Sequence, residues 1–334
     1  MKTIIIIIIM FISAHLQSQT MEERMQRVED SLNIVWTVEP IDTALPKPIY
    51  EGVVMQLSNS DQFIFNPGYT NREIWDLYCV KSGQVYLAQS LNGLNGWTYY
   101  LTNAKAGSIV NYGDKNFLSY HSWYSGLAYS YFAIALDKIN FQNVATLRYP
   151  TGEDRNLIWN GQKFISLGRP EVPPAIRSIM YQESSDFRSW TYPVKVLSPD
   201  SQDGPNVDFY HISVIQTDNG YFGLLNLYYR GNSGQDVEQL PPYSAREHTT
   251  ELQLVWSSDC KTWTRLNQRK VFISRKAGIE QMFAWWSVIG DQVYIYTCES
   301  ARKHTVWANT YDKPGKYYFS SRYKISLTNL YLYH

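Results

Sequence analysis

Ser184-Ser185-Asp186-Phe187-Arg188-Ser189-Trp190-Thr191 and Ser257-Ser258-Asp259-Cys260-Lys261-Thr262-Trp263-Thr264 are two copies of one turn, with identical spacing from Ser to Trp. Ser90-Leu91-Asn92-Gly93-Leu94-Asn95-Gly96-Trp97-Thr98 is a third copy with one extra residue, and Ala135-Leu136-Asp137-Lys138-Ile139-Asn140-Phe141 is a degenerate fourth. Asp312, Pro314 and Gly315, within Ala308 to Lys316, mark a fifth. The copies start near 90, 135, 184, 257 and 308, in steps of 45, 49, 73 and 51 residues. Each stands where a strand ends in S-x-D, turns and restarts at W-T. The Asp side chain can close the turn on its own backbone, and the Trp ring can pack between neighbouring sheets. A period of about 40–50 residues with several strands per unit is the signature of a β-propeller. The repeated Ser, Asp and Trp residues therefore read as scaffold. The longest step contains an insertion between Arg230 and Glu251, which predicts a long loop on one face.

Working outward, short β-rich runs recur between turn residues: Val85-Tyr86-Leu87-Ala88, Lys163-Phe164-Ile165-Ser166 and Val293-Tyr294-Ile295-Tyr296. Asn160-Gly161, Asp218-Asn219-Gly220 and Gly290-Asp291 supply tight-turn signals. The composition agrees: Tyr 27, Phe 13 and Trp 11 make 15% of 334 residues, against 18% charged. Aromatic side chains fit pleated surfaces. The expected fold is all-β, a five-bladed β-propeller. Thirty basic residues balance thirty acidic ones, which argues against a nucleic-acid partner, since phosphate binding needs a basic excess.

The N-terminus reads differently. Lys2, the apolar run Ile4 to Ile12, and the polar exit Ser13 to Gln19 have the order of a secretory signal peptide. The run is too short for a bilayer-spanning helix. Residues 1–19 are read as the signal peptide, 20–50 as a lead segment and connector, and 51–334 as the propeller. The expected location is secreted, periplasmic or cell-surface, with no integral membrane segment after signal removal. Cys79, Cys260 and Cys298 form no C-x-x-C pair, so a zinc site or thioredoxin-like motif is not expected. One disulfide or three buried thiols are both compatible with the count.

The repeated S-x-D-x-x-x-W turn after strand pairs resembles the five-bladed β-propeller glycoside hydrolases of families 32, 43 and their relatives. Arg177-Ser178-Ile179 through Trp190, with Pro193, Val196-Leu197 and Asp200, is similar to a third blade of such proteins. Asp208-Phe209-Tyr210-His211, Gly220 to Leu225 and Tyr228-Tyr229-Arg230-Gly231 resemble a fourth, and Gly290 to Tyr296 with His304 a last. The N-D-P, R-D-P and E-C motifs of family 32 do not occur. Sialidase-type propellers are the second resemblance, with a turn one residue longer and a central Gly that two copies lack.

The resemblance implies cleavage of a glycosidic bond by two carboxylates, with carbohydrate (an oligo- or polysaccharide) as the partner. About 5–5.5 Å between the two groups implies retention, and about 6.5–9.5 Å inversion. Acids just before or within aromatic-rich inner strands are the candidates: Asp76 in blade one, Asp208 in blade four and Glu280 in blade five, with Asp154 and Arg155 noted in blade three. Glu171, on the Pro-rich loop after Gly168-Arg169-Pro170, is a further candidate acid. Arg177 and Arg230 are candidates for binding a carboxylate or sulfate. His211 and His304 are candidates for holding sugar hydroxyls, and Tyr210, Trp285 and Trp286 for contacting the rings. No cofactor is expected; a structural calcium at the axis is compatible with the composition, but no dedicated loop is readable. The alternative function is a non-catalytic glycan-binding or surface-recognition propeller.

Overall fold

The computed structural model describes residues 45–57, 64–69, 74–81, 84–105, 107–112, 114–124, 127–147, 156–169, 177–204, 206–230, 249–276, 279, 281–300 and 318–334. The signal peptide, the lead segment up to residue 44, Asp154, Glu171, Glu280, His304, most of the 231–250 insertion and the fifth turn copy lie outside them.

The described residues form five antiparallel sheets. Strand β1 (Ile49–Leu57) comes first in the chain but belongs to the last sheet. Blade I is β2 (Ile64–Tyr69), β3 (Trp75–Lys81), β4 (Gln84–Ser90) and β5 (Thr98–Leu101). Blade II is β6 (Gly107–Tyr112), β7 (Lys115–Tyr124), β8 (Leu127–Ala135) and β9 (Gln142–Leu147). Blade III is β10 (Asn156–Trp159), β11 (Phe164–Gly168), β12 (Ile179–Ser184) and β13 (Val194–Leu197). Blade IV is β14 (Val207–Thr217), β15 (Gly220–Tyr229), β16 (Thr250–Ser257) and β17 (Thr264–Arg265), with β18 (Val271–Ile273) also pairing with β16. Blade V is β19 (Gln281–Ile289), β20 (Gln292–Ser300), β21 (Tyr318–Ser326) and, outermost, β1. The expected five-bladed all-β propeller is the fold observed. Among the described residues no helix is long and apolar enough to cross a membrane; helix α1 (Leu327–Tyr331) is one short turn capped by the Ser326 hydroxyl.

The first strands of the five blades contact one another in a closed ring: β2, β6, β10, β14, β19 and back to β2. Buried polar groups stitch the ring. Leu157 N–H donates to Ser108 Oγ at 2.7 Å, Val214 N–H to Asn156 Oδ1 at 3.0 Å, and Trp286 Nε1 to the Ser213 carbonyl at 3.0 Å. Apolar side chains fill the wedges between blades, as in the cluster of Phe222, Leu252, Leu254, Met282, Ala284, Ile295 and Tyr323 between blades IV and V.

The four described turn copies join the third and fourth strands of blades I to IV and share one geometry. Asp186 Oδ1 accepts from the N–H groups of Arg188 (2.8 Å) and Ser189 (2.7 Å), and Asp259 Oδ1 from Lys261 and Thr262, both at 2.8 Å. Asp137 and Asn92 make the same pair of bonds. The N–H groups of Ser189 and Arg188 hold the Asp186 carboxyl well below the usual range. The residue after the Asp or Asn is left-handed in every copy: φ is 68° at Gly93, 63° at Lys138, 60° at Phe187 and 60° at Cys260. This bend drives its side chain into the preceding blade. Phe187 enters a ring cluster with Phe117 and Phe132 of blade II, and Cys260 joins Ile158 and Tyr181 of blade III. Lys138 reaches Asp76 of blade I. At Gly93 the traffic reverses, and Trp75, Tyr296 and Arg322 close over a position with no side chain. The three cysteines are buried and form no disulfide with one another.

Blade V has no covalent third-to-fourth junction, because its fourth strand is β1. The fifth turn copy, near 308–316, falls in the connection between the second and third strands, β20 and β21. Antiparallel order then separates two faces. One face has the S-x-D turns and the first-to-second hairpins. The other has the starts of the inner strands, the second-to-third loops and the blade-to-blade connections, and the long insertions after Gly168, Tyr229 and Ser300 all open there.

Candidate functional site

On that second face the start of β14 brings together several of the residues singled out by sequence. Asp208, second in β14, is 1% exposed. Arg177, just before β12, donates its backbone N–H to Asp208 Oδ1 at 3.1 Å and Nη1 to Oδ2 at 2.8 Å. Arg230, just after β15, places Nε 3.5 Å from Oδ1. The carboxylate is thus gripped from the second-to-third loops of two adjacent blades. Removing one partner of such a buried pair costs about 3–5 kcal/mol, because the other is left uncompensated.

Tyr210, two residues on, is 8% exposed. Arg169, at the end of β11, lies over its ring with Cζ 4.0 Å from the centroid, and the Arg177 Cζ is 5.4 Å from the same ring. Tyr228 and Phe283 flank the ring at 5.6 and 5.7 Å. Tyr210 is therefore a floor under guanidinium groups. His211, 2% exposed, is next to the ring of Trp285 at 5.3 Å, a contact between the inner strands of blades IV and V. Trp285 is half-buried, whereas its neighbour Trp286 is in the core between those blades with its Nε1 bonded to Ser213.

Asp76 is placed elsewhere. It lies on β3, the second strand of blade I, where the sequence reading had put it on an inner strand. Its Oδ2 meets Lys138 Nζ at 2.6 Å, and Tyr78 donates to the Lys138 carbonyl at 2.9 Å. Burial, with the charges of Asp76 and Asp137 adding to it, pushes the Tyr78 phenol up. This arrangement is a tie between blades I and II. Glu280, Glu171 and His304 are outside the described residues. Glu280 precedes the first residue of β19, the inner strand adjacent to β14.

Three polar residues near this face were not anticipated. Arg169 is 3% exposed; its place after Gly168 on a Pro-rich loop was visible, but its stacking on Tyr210 is a long-range contact. Glu299, 2% exposed near the end of β20, accepts from Thr297 Oγ1 at 2.6 Å and is 3.4 Å from Lys276 Nζ. Glu251 accepts from the Tyr229 hydroxyl at 2.7 Å and is 4.0 Å from Arg275. Among the described residues no group of three or more His, Cys, Asp or Glu side chains is arranged to hold a metal ion.

No protein-family model matches the chain, and no curated protein is similar to it by sequence. Solved structures are similar in fold. One is described as a glycoside hydrolase, with a TM-score of 0.58 and 11% identity over 92% of this chain and 96% of that one. A thermostable family-43 glycoside hydrolase gives 0.55 and 13%, over 79% and 90%. The β-1,2-mannobiose phosphorylase of Listeria innocua gives 0.54 and 12%, over 85% and 92%. At these identities the likeness is one of architecture: the chain shares its five-bladed β-propeller with glycoside hydrolase structures.

Proposed function

We propose that the protein is a glycoside hydrolase that cleaves a carbohydrate at the centre of the loop-bearing face, with Asp208 and Glu280 as its carboxylate pair. The observation that supports this most is the juxtaposition of two inner strands: Asp208 stands at the start of β14, and Glu280 directly precedes in sequence the first residue of the neighbouring β19, whose start is on the same face. Asp208 is the ion-pair partner of Arg177 and Arg230 and suits the base or nucleophile. The proton donor to the leaving oxygen is then Glu280. In this reading His211 on β14 and Trp285 on β19, whose rings are 5.3 Å apart, serve sugar hydroxyls and ring faces.

A panel of aryl glycosides and polysaccharides tests the reading. Turnover that falls at least a hundredfold in Glu280→Gln, with the melting temperature unchanged, is the expected result. Full activity in that variant would remove Glu280 from the mechanism. A second reading, glycan recognition without turnover, is favoured by the grip of Arg177 and Arg230 on Asp208, which holds that carboxylate within the protein. It predicts saturable binding to a glycan with no hydrolysis of any member of the panel. An export signal at residues 1–19 belongs to both readings. It is tested by locating the protein in a secreting host with and without that segment.

A further inference from the structure

We infer that the cluster around Asp208 recognises an oxyanion borne by the carbohydrate, a uronate carboxylate or a sulfate ester. The inference rests on the carbohydrate reading above and names its substrate class.

Three guanidinium groups from two blades converge on one carboxylate and one tyrosine ring. Arg169 and Arg177 flank the 169–178 loop of blade III, and Arg230 opens the insertion of blade IV. The other arginine clusters are built differently. Arg265 and Arg269 meet Asp203 and Asp200, and Arg322 and Lys324 share Glu51 in a tie between β21 and β1. At Asp208, Arg177 and Arg230 meet one carboxylate, while Arg169 joins Arg177 over the adjacent Tyr210 ring. The chain has thirty basic and thirty acidic residues, so this local concentration does not follow from a basic composition.

The geometry suits an anion. A guanidinium has five N–H donors in a planar fork, so an arginine that already holds Asp208 or a loop residue can donate to a bound oxyanion as well. The fork matches the two oxygens of a carboxylate or sulfate. Arg169 lies over the Tyr210 ring with Cζ 4.0 Å from its centroid, and both residues are buried, where charge interactions are stronger than in bulk water. Asp208 acts here as the anchor: it fixes two of the three guanidiniums before any ligand arrives, which lowers the ordering cost of binding. The cluster also stands on the loop-bearing face, at the start of β14, where this reading presents the sugar.

Isothermal titration of the full chain at pH 7 tests this with two matched pairs of probes. One is trigalacturonate and its methyl ester; the other is a sulfated galactan oligosaccharide and its desulfated counterpart. At least one charged probe is expected to bind tenfold or more tightly than its neutral partner, and the ratio is expected to shrink as salt rises. The pair that discriminates tells carboxylate from sulfate. Arg169→Gln is expected to bring the charged-to-neutral ratio towards one. Should that variant lower the melting temperature, Arg230→Lys, which keeps the charge and loses the fork, is expected to cut the ratio at least fivefold. Equal affinity for charged and neutral members of both pairs, no binding of any probe, or an unchanged ratio in a folded variant overturns the inference. Hydrolysis of neutral glycosides without anionic preference would overturn it and leave the enzyme reading standing. Anionic binding with no turnover of any glycan would do the reverse.

Discussion

Phe187 offers a sharp test of how the blades are held together. Its side chain is fully buried, with ring centroids 4.8 Å from Phe117, 5.4 Å from Phe132, 4.8 Å from Phe164 and 5.6 Å from Trp190. Truncation to Ala removes a ring from a packed cluster, which costs about 3–5 kcal/mol. The backbone adds a second term, because φ is 60° there. An L-residue in that region is strained by about 1–2 kcal/mol, and glycine is not. Glycine also frees the unfolded chain, which costs about 0.4–1 kcal/mol. The net expectation is that Phe187→Gly is as stable as Phe187→Ala or about 0.5–1 kcal/mol more stable, although it buries less. In a regular strand the order would be reversed. Urea unfolding of both variants, followed by tryptophan fluorescence, measures the difference. A Phe187→Ala cost below about 1 kcal/mol, or a Gly variant more than about 1 kcal/mol below the Ala variant, would refute the inter-blade plug.

Three further outcomes follow from the same coordinates. At Gly93 an added Cβ would lie 2.5 Å from Arg322 Nη1, 2.6 Å from Trp75 Cδ2 and 2.7 Å from the Tyr296 hydroxyl, at φ 68°; Gly93→Ala is expected to cost at least about 3 kcal/mol in the same unfolding assay, and a cost under about 1 kcal/mol would contradict the packing. On the acid side, Lys163 and the Tyr181 hydroxyl hold the Glu183 carboxyl down to about 2, against 4.5 for the free group. A group depressed on folding stabilises above its unfolded value and loses that contribution as pH falls, so stability is expected to drop between about pH 4.5 and 2, with a shallower slope in Glu183→Gln; equal slopes would rule the pairing out. Finally, burial pushes the Cys260 thiol up, and Cys79 and Cys298 are also buried, in a separate cluster; a thiol reagent is expected to label none of the three in the native protein and all three in denaturant, with no mass change on reduction.

Four of the five blades are legible because their third-to-fourth junctions are local: an Asp or Asn closes the turn on its own backbone, with a Trp or Phe four or five residues later; the fifth copy, near 308–316, falls between β20 and β21, and blade V closes with β1 instead. Position within a blade was harder. Asp76 lies within the aromatic-rich run Ile74 to Tyr78, which reads as an inner strand, whereas the true inner strand β2 contains Asn66-Pro67-Gly68 and a register shift between Phe65 and Gly68, so it does not look like a strand. Tyr210 and Trp286 were read as sugar contacts, yet one underlies Arg169 and the other packs in the core. Aromatic residues have the same appearance in sequence whether they face a cavity or a neighbouring sheet. The sequence pairs Arg177 with Arg230 as candidate anion binders and offers Asp208 as a candidate acid; that the two arginines hold Asp208 itself is a long-range contact between blades III and IV, which no local pattern encodes.

The pairing of β1 with β21 has a consequence during synthesis. Leu57 is opposite Tyr318, roughly 260 residues further along the chain. At about 5–20 residues per second, translation leaves the first strand waiting for its neighbour for roughly 13–50 s. During that interval Ile49–Leu57 is an edge with unsatisfied backbone groups, open to association with other chains. Blades I to IV can each form from contiguous sequence as they emerge. The ring becomes a ring only once the last blade recruits the oldest strand, so the slowest and most aggregation-exposed step is set by chain connectivity and not by the strength of any contact.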